Sequence, residues 1–508
     1  MNGDVVLLAP DDDVAVALRG CDEGTSLAVP GREPVVARHS VPSGHKVALR
    51  RIAAGEFVRK YGHVIGVATR TVSVGEHVHL HNLAMPDGVS ALASESTVTE
   101  VPQAPIDLRR TFDGIVRPDG AVATRNYVGV LTTVNCSATV ARRIVRRTED
   151  EVAELDGVDG VVALTHGTGC GMATEGDGWR LLRRTLSGYA RHPNIGALVV
   201  VGLGCEVNAV SSLMSELGVA DHVPVESYTI QEAGGTVDAI SRGEKLVRDL
   251  AARLVGTRRT PVGVEHLVLG LQCGGSDAWS GLTANPALGV ASDLLVAAGG
   301  TSVLGETPEI YGAERLLAQR AVRPEVAVAL LERIAWWERY TRDNGTTLDQ
   351  NPSPGNKAGG ITTILEKSLG AVAKAGRSPL RAVCGYAEPV PTPGLVFMDT
   401  PGYDPVSVTG MIAGGANLIC FTTGRGSVFG SRPVPTVKLA TNADTASRMA
   451  GDMDVDCSPI VEHGVDVAEM GRRVYDHLLD VASGRKSLSE RLGLGGEEMV
   501  PWQLGAVL

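Results

Sequence analysis

Gln272-Cys273-Gly274-Gly275-Ser276-Asp277 puts a thiol, a hydroxyl and a carboxylate into one glycine-rich turn. The glycines let backbone amides approach a ligand closely. The three side chains can serve metal binding, proton transfer and hydrogen bonding to a polar molecule. Three more cysteines stand in similar settings. Asn135-Cys136-Ser137 follows the apolar run 127–134, and His166-Gly167-Thr168-Gly169-Cys170-Gly171 follows 160–165. Gly204-Cys205-Glu206-Val207-Asn208 follows 197–203. One thiol at a strand end carries no chemistry by itself, because cysteine is small and often buried. Four in equivalent places, among 8 cysteines, point to metal binding or redox chemistry. No Cys-x-x-Cys occurs, so no zinc knuckle is present.

The elements that must position these groups follow from periodicity. Each cysteine comes after an apolar run of strand length and before a helical pattern, and open α/β sheets place ligands at such strand ends. If the four strands are parallel neighbours, all four thiols lie along one sheet edge. Helical patterns at 138–155 and 179–190 alternate with the strands, which predicts a parallel sheet covered on both faces. A second α/β unit starts near 265 and includes a strand at 299–305 and a helix pair over 313–340 broken at Pro324. Asn351-Pro352-Ser353-Pro354-Gly355-Asn356-Lys357-Ala358-Gly359-Gly360 is rich in Pro and Gly and is predicted to be a loop. Past the apolar run 416–423, Gly424-Arg425-Gly426 offers a guanidinium fork to a carboxylate, with amides beside it.

Residues 11–85 read as a small all-β module, short apolar runs punctuated by turns. Two histidine-bearing pieces stand out in it, Gly44-His45-Lys46 and Val78-His79-Leu80-His81-Asn82. On a strand, His79 and His81 project to one face. With His45 they could bind a metal or an anionic sugar; the alternative is a polar, solvated sandwich face. The expected division is an N-terminal domain over 1–88, a linker over 89–113, a second domain over 114–260 and a C-terminal domain over 261–508.

Composition narrows the function classes. Charged residues make up 21% and hydrophobic ones 44% of 508 residues, ordinary for a globular chain with about two to four domains. The net charge of −11 argues against nucleic-acid binding, which calls for a basic stripe. An anionic small molecule stays compatible, since a local arginine or metal overrides the global sign. No apolar run approaches the ~18 residues of a membrane span, and the N-terminus has no basic region followed by an apolar core. Scattered cysteines without such a leader fit a reducing cytoplasm.

Together Gly44-His45-Lys46, Val78-His79-Leu80-His81-Asn82, Thr124-Arg125-Asn126, Asn135-Cys136-Ser137, Gly202-Leu203-Gly204-Cys205-Glu206, Cys273-Gly274-Gly275-Ser276-Asp277, the 351–357 segment and Thr422-Thr423-Gly424-Arg425-Gly426-Ser427 resemble the altronate/galactarate dehydratase family of sugar-acid lyases. The resemblance covers nearly the whole chain. It implies a small N-terminal β-clip (SAF) domain followed by two α/β parts with largely parallel sheets. It also implies loss of water from a hexonic or hexaric acid to a 2-keto-3-deoxy acid, with dependence on ferrous iron (Fe2+). Residues 424–442 look closer to the altronate enzymes, so D-altronate to 2-dehydro-3-deoxy-D-gluconate is the expected reaction and galactarate the alternative.

Such a dehydration removes a proton α to a carboxylate and expels the neighbouring hydroxyl. It calls for a cation beside the carboxylate and for groups that move protons. His45, His79, His166 and Lys357 are the candidates for proton transfer, Arg425 and Asn356 for the carboxylate, and Ser276 and Asp277 for substrate hydroxyls. Two ligand sets stand open for iron: His45, His79 and His81 for a mononuclear site, or Cys136, Cys170, Cys205 and Cys273 for an iron–sulfur cluster. Thiols and β-clip histidines are expected to face one cleft. The expected partner is a small sugar acid, with neither nucleic acid nor membrane, and the chain is expected to form a homo-oligomer. An NAD-dependent oxidoreductase is the rival enzyme class, although the turn at Gly202-Leu203-Gly204 matches the dinucleotide fingerprint poorly. A non-catalytic sugar-acid binder is the other rival.

Overall fold

A computed structural model describes residues 4–86 and 105–505. The N-terminal part is built of short antiparallel strands. Val5–Val6, Val14–Ala17, Lys46–Ala48 and His77–Val78 form one sheet in that order. Phe57–Lys60, His63–Ala68 and Leu83–Ala84 form a second. Strands this short cannot be held by pairing alone: residues of both sheets fill one small core, and a second core packs the first sheet against residues 27–37. Turn geometry sets their spacing: Gly75 has φ 77°, and a Cβ there would lie 1.9 Å from the Val36 carbonyl oxygen.

The middle part is a four-stranded parallel sheet in the order Gly160–Leu164, Tyr127–Thr132, Ile195–Gly202 and Val225–Thr229. Every residue of the first three strands is buried, which accounts for their unbroken apolar runs. Helices Asn135–Ala153 and Thr236–Leu254 contribute to the core on one face. The core that takes in helix Asp177–Ala190 also takes in strands and helix Asp404–Ala413 of the C-terminal part. At Gly188 a Cβ would lie 2.3 Å from the Ala413 carbonyl oxygen. The two α/β parts therefore share one core.

The C-terminal sheet has seven parallel strands in the order Leu380–Cys384, Gly394–Met398, Thr301–Leu304, Val268–Cys273, Leu418–Thr423, Thr436–Ala440 and Val455–Asp456. From Val268–Cys273 the chain adds strands to one side, then crosses back and adds the rest to the other. The order thus reverses between Val268–Cys273 and Leu418–Thr423. A small antiparallel sheet of Val122–Ala123, Thr111–Val116 and Thr260–Gly263 bridges the two parts. Its central strand begins within the stretch read as linker, of which residues 89–104 lie outside the described residues.

Three expectations need correction. The four thiol-bearing strands are not one set of neighbours: Val268–Cys273 belongs to the second sheet, and Cys273 is its last residue rather than part of the turn after it. The 351–360 segment is not all loop. Pro354 opens a short helix, Pro354–Ala358, whose orphan amides are met by a capping box between Ser353 and Asn356. His79 and His81 do not share a strand face, because the strand ends at Val78 and residues 79–82 turn.

Buried charge locks the parts together. Glu366, on helix Ile364–Val372, accepts from Lys46 Nζ at 2.9 Å and from Lys60 Nζ at 2.8 Å, all three side chains being almost completely buried. Burial alone would raise the Glu366 pKa, but the two ammonium groups outweigh it and hold the carboxylate ionised. Burial depresses Lys46 to about 8, since it shares that carboxylate with a second cation. Lys46 Nζ also donates to the Gly360 carbonyl at 2.7 Å. Arg125 makes a bidentate pair with Glu490, at 2.6 and 2.8 Å, between the middle part and the C-terminal end. His192, fully buried, engages Ala416 O at 3.0 Å through Nε2 and accepts from Asn194 N through Nδ1 at 3.1 Å.

Glu366→Gln would leave two buried ammonium groups without a counter-charge, at a cost of about 3–5 kcal/mol. A matching fall in urea-unfolding free energy, carried by the N-terminal domain, is the expected result. Burial also lowers the His192 pKa to about 4. Below about pH 6.5 the unfolded chain takes up a proton there that the folded chain refuses, so stability falls with pH down to about 4. The expected slope is about 1.4 kcal/mol per pH unit for this one histidine. Unfolding at pH 7, 6 and 5 should show a shallower pH dependence in His192→Gln.

Candidate active site

Where the strand order of an open parallel sheet reverses, the loops leave in opposite directions and open a crevice. Here the crevice lies between the turns after Val268–Cys273 and Leu418–Thr423. Gly274 N donates to Thr422 O at 3.1 Å and Gly424 N to Gly275 O at 3.2 Å, so the turns run side by side. Asp277 is fixed between them. Its Oδ1 accepts from Trp279 N, Ser280 N, Ser280 Oγ and Thr441 Oγ1 at 2.9–3.1 Å. Its Oδ2 accepts only from Asn442 Nδ2, at 2.8 Å. Burial raises the Asp277 pKa against the pull of these donors. Gly424 must be glycine, because a Cβ would sit 2.1 Å from Asp277 Cγ.

A cavity of about 290 Å³ opens here, lined by Asp277, Trp279, Ala358, Gly359, Arg425 and Asn442, and by Leu18 and Ser43 of the N-terminal domain. Arg425 is exposed into it and has no carboxylate partner among the described residues. Ser276, buried, lines a much smaller void beside Lys60, Tyr61 and Lys367 rather than this cavity. Asn356 is spent on structure: its Oδ1 accepts from Ser353 N and its Nδ2 donates to Ser276 O at 2.8 Å, so it positions the turn and is not free to hold a carboxylate. Lys357 does not line the cavity, although its neighbour Ala358 does.

The histidines lie against the same wall. His45 Nδ1 and His77 Nε2 are 3.0 Å apart, and His45, His77 and His79 bring one nitrogen each to within 4.8 Å of the others. His45 Nε2 faces the Ala358 carbonyl at 3.3 Å. His79 Nδ1 is buried with no hydrogen-bond partner. Burial, then the neighbouring imidazoles and Lys46, depress His77 to about 3; burial and then Lys46 depress His79 to about 4. All are neutral near pH 7 and able to donate a lone pair. His81 is exposed and outside this group, while His77, which the sequence reading passed over, is inside it. The signal was present as His77-Val78-His79-Leu80-His81. Asn442 and Trp279, from opposite sides of the crevice, gave no comparable signal.

Cys273 sits elsewhere. With Glu306 and Glu309 it forms the second close group of possible ligands, but two ammonium groups already hold that place. Lys374 Nζ lies 2.9 Å from Cys273 Sγ and pairs with Glu306, and Lys367 pairs with Glu309 at 2.8 Å. Burial pushes the Cys273 thiol well up and Glu306 to about 8. A further cation does not fit there. Cys136, Cys170 and Cys205 are exposed at the carboxyl edge of the middle sheet. His166 staples that edge, its Nε2 at 3.1 Å from Thr132 O and its Nδ1 at 3.2 Å from Thr168 Oγ1. It does not join the other histidines. The dinucleotide reading fails at the same edge, because Glu206 Oε2 occupies the Gly204 amide that a pyrophosphate would need.

Three family models match the chain in succession. They are the altronate/galactarate dehydratase SAF domain over residues 3–86, the D-galactarate dehydratase/altronate hydrolase second domain over 114–255, and the D-galactarate/altronate dehydratase C-terminal domain over 264–507. The altronate dehydratase of Escherichia coli strain K12 is 37% identical over 94% of this chain and 95% of its own length. That of Bacillus subtilis strain 168 is 35% identical over 93% and 94%. The chain belongs to the altronate/galactarate dehydratase family. The galactarate dehydratase (L-threo-forming) of Escherichia coli K12 is 35% identical over 95% of this chain and 94% of its own. Within the family's frame, the SAF domain is the wall that carries the histidines. No helix among the described residues is long and apolar enough to cross a membrane.

The histidine group fits a divalent transition ion. Two nitrogens bound at right angles to one ion, each at about 2.1 Å, lie about 3.0 Å apart, which is the His45–His77 spacing. His45 would donate its other N–H to Ala358 O, the usual outer partner of a metal-bound imidazole. Co2+, whose visible spectrum separates nitrogen from thiolate ligation, should bind the chain with nitrogen ligands. His77→Ala should weaken that binding at least about tenfold, and His81→Ala should leave it unchanged. The opposite pattern would restore the His45, His79 and His81 set.

Proposed function

We propose that the chain is a hydro-lyase that dehydrates a sugar acid, D-altronate first and galactarate as the alternative. Its active site is then the crevice between the SAF domain and the C-terminal sheet. The observation that carries this reading is the unpaired Arg425 guanidinium in a cavity with Asp277, whose wall residue Ala358 is backed by His45 of the three-histidine group. Full-length similarity to altronate dehydratases supports the substrate class.

Arg425 presents a planar fork to the substrate carboxylate, with the Gly424-Arg425-Gly426 backbone beside it. Asn442 is held by Asp277 and Gly424 O, at 2.8 Å each, and fixes the cavity floor. Asp277 is the proton acceptor. Four donors saturate its Oδ1 and leave lone-pair capacity on Oδ2. Its raised pKa makes it a stronger base than an exposed carboxylate. It takes the proton from the carbon next to the carboxylate as the neighbouring C–O bond breaks. Returning that proton to the departing hydroxide releases water and leaves an enol, which tautomerises to the keto acid. Ferrous iron on His45, His77 and His79 would supply positive charge for the enolate and the leaving oxygen.

The test is a keto-acid assay on anaerobically prepared protein with ferrous iron and a panel of altronate, galactarate, glucarate and mannonate. Product from altronate, with no change in nicotinamide absorbance, is expected. No product from any acid would overturn the reading in favour of a binder. Arg425→Ala should lower kcat/KM by about 10- to 150-fold, the loss of about 1.5–3 kcal/mol in a charged hydrogen bond. Asp277→Asn should instead abolish kcat while KM changes little.

A further inference from the structure

We propose that Cys136, Cys170 and Cys205 hold an iron–sulfur cluster in the middle domain, at a site separate from the histidine group and independent of the substrate assignment. These are the three exposed cysteines among the 8. They follow three strands that lie side by side in the sheet, Gly160–Leu164, Tyr127–Thr132 and Ile195–Gly202. Cysteine is normally among the most buried residues, so three exposed thiols at one sheet edge call for a ligand.

The three turns are tied to one another without using the thiols. Asn135 N donates to Thr168 O at 2.9 Å, and Asn208 N donates to Gly169 O at 3.0 Å. Asn208 Nδ2 donates to Thr133 O at 2.8 Å, and Thr133 Oγ1 to Glu206 Oε1 at 2.6 Å. Gly169 has φ 96°, and a Cβ there would stand 2.3 Å from Thr133 O, so the first two turns are in direct contact. Every pair of cysteine-bearing turns is thus cross-linked within a few residues of its thiols. The backbone is set in advance of any ligand.

The first of the three turns opens a helix. Cys136 opens the 19-residue helix Asn135–Ala153, which has no acidic residue in its first turn and no side-chain cap. The positive end of its dipole therefore lies at that position and favours an anionic group. The neighbouring side chains are already committed. Glu206 binds Thr133 and the Gly204 amide, and both His166 nitrogens are engaged. Neither side chain is therefore free to serve as a fourth ligand.

The separation of the sulfurs argues against a single ion. The trio is not among the groups whose ligand atoms lie within 4.8 Å of one another, whereas one ion needs its sulfurs that close. In a cluster each thiolate binds a different iron, and the sulfurs stand farther apart. Three thiolates on a four-iron cluster leave one iron with a non-protein ligand.

The test uses the full chain, reconstituted anaerobically with ferrous iron and sulfide. About four acid-labile sulfide per chain are expected, with about four iron beyond the one held by the histidine group, together with broad visible absorbance and a paramagnetic signal on reduction by dithionite. Cys136→Ser, Cys170→Ser and Cys205→Ser should each lose sulfide and absorbance with an unchanged far-ultraviolet circular dichroism spectrum. Cys273→Ser and His77→Ala should keep both. Because a serine variant could lose the cluster by misfolding, iodoacetamide labelling of the wild-type chain gives a second measure. The three thiols should be protected in the reconstituted chain and labelled after chelation. Iron without sulfide, sulfide retained in the three serine variants, or equal labelling before and after chelation would each overturn the proposal.

Discussion

Glu366 carries one negative charge into an interface from which water is excluded, and two ammonium groups of the opposite domain meet it there. Neither lysine could stay charged in that place without it, and the carboxylate could not stay ionised without them. The arrangement demands one docking geometry for the SAF domain. Lys46 is next in the chain to His45, so the contact that satisfies the charge also brings an imidazole against Ala358 at the cavity wall. The energetic centre of the interface and the chemistry of the site are neighbours in sequence as well as in space.

The opposite wall depends on a constraint of topology. The C-terminal sheet adds strands in both directions from Val268–Cys273, and two loops part where the direction changes. Asp277 fills the bottom of that gap and is held by donors from both sides. Glycine at 424 is the condition for its fit. A rigid carboxylate with a nearly free oxygen therefore shares the cavity with a cation, Arg425, that forms no ion pair among the described residues. The buried set around Cys273, Glu306 and Lys374 is self-compensating by contrast, and its closed charge balance separates it from the working crevice.

Much of the fold was legible because burial on both faces of a parallel sheet leaves unbroken apolar runs, and glycine turns mark where they end. The runs at 127–134, 160–165 and 197–203 are such strands, and the alternation with helices followed from them. The N-terminal module was legible from its turns. Arg425 and Asp277 were visible as reactive types at strand ends. The helix at Pro354–Ala358 was hidden because Pro and Gly suggest loop, although Ser353 and Asn356 cap it and Pro354 suits its first turn.

By itself, the sequence determined which residue types could do chemistry, that they would stand at strand ends, and to which family the chain belongs. The first two are local properties, written in composition, period and spacing, and the family was read from the resemblance of its motifs. Which of the groups meet was decided only by the tertiary structure. It joined His77 to His45 and His79 and left His81 in solvent, because the strand stops at Val78 and the chain turns away. It also parted Cys273 from the other three thiols, because sheet membership depends on pairing between distant strands. Asn356 became a scaffold residue for the same reason: its partner, Ser276, lies far away in the chain, and only packing brings the two together.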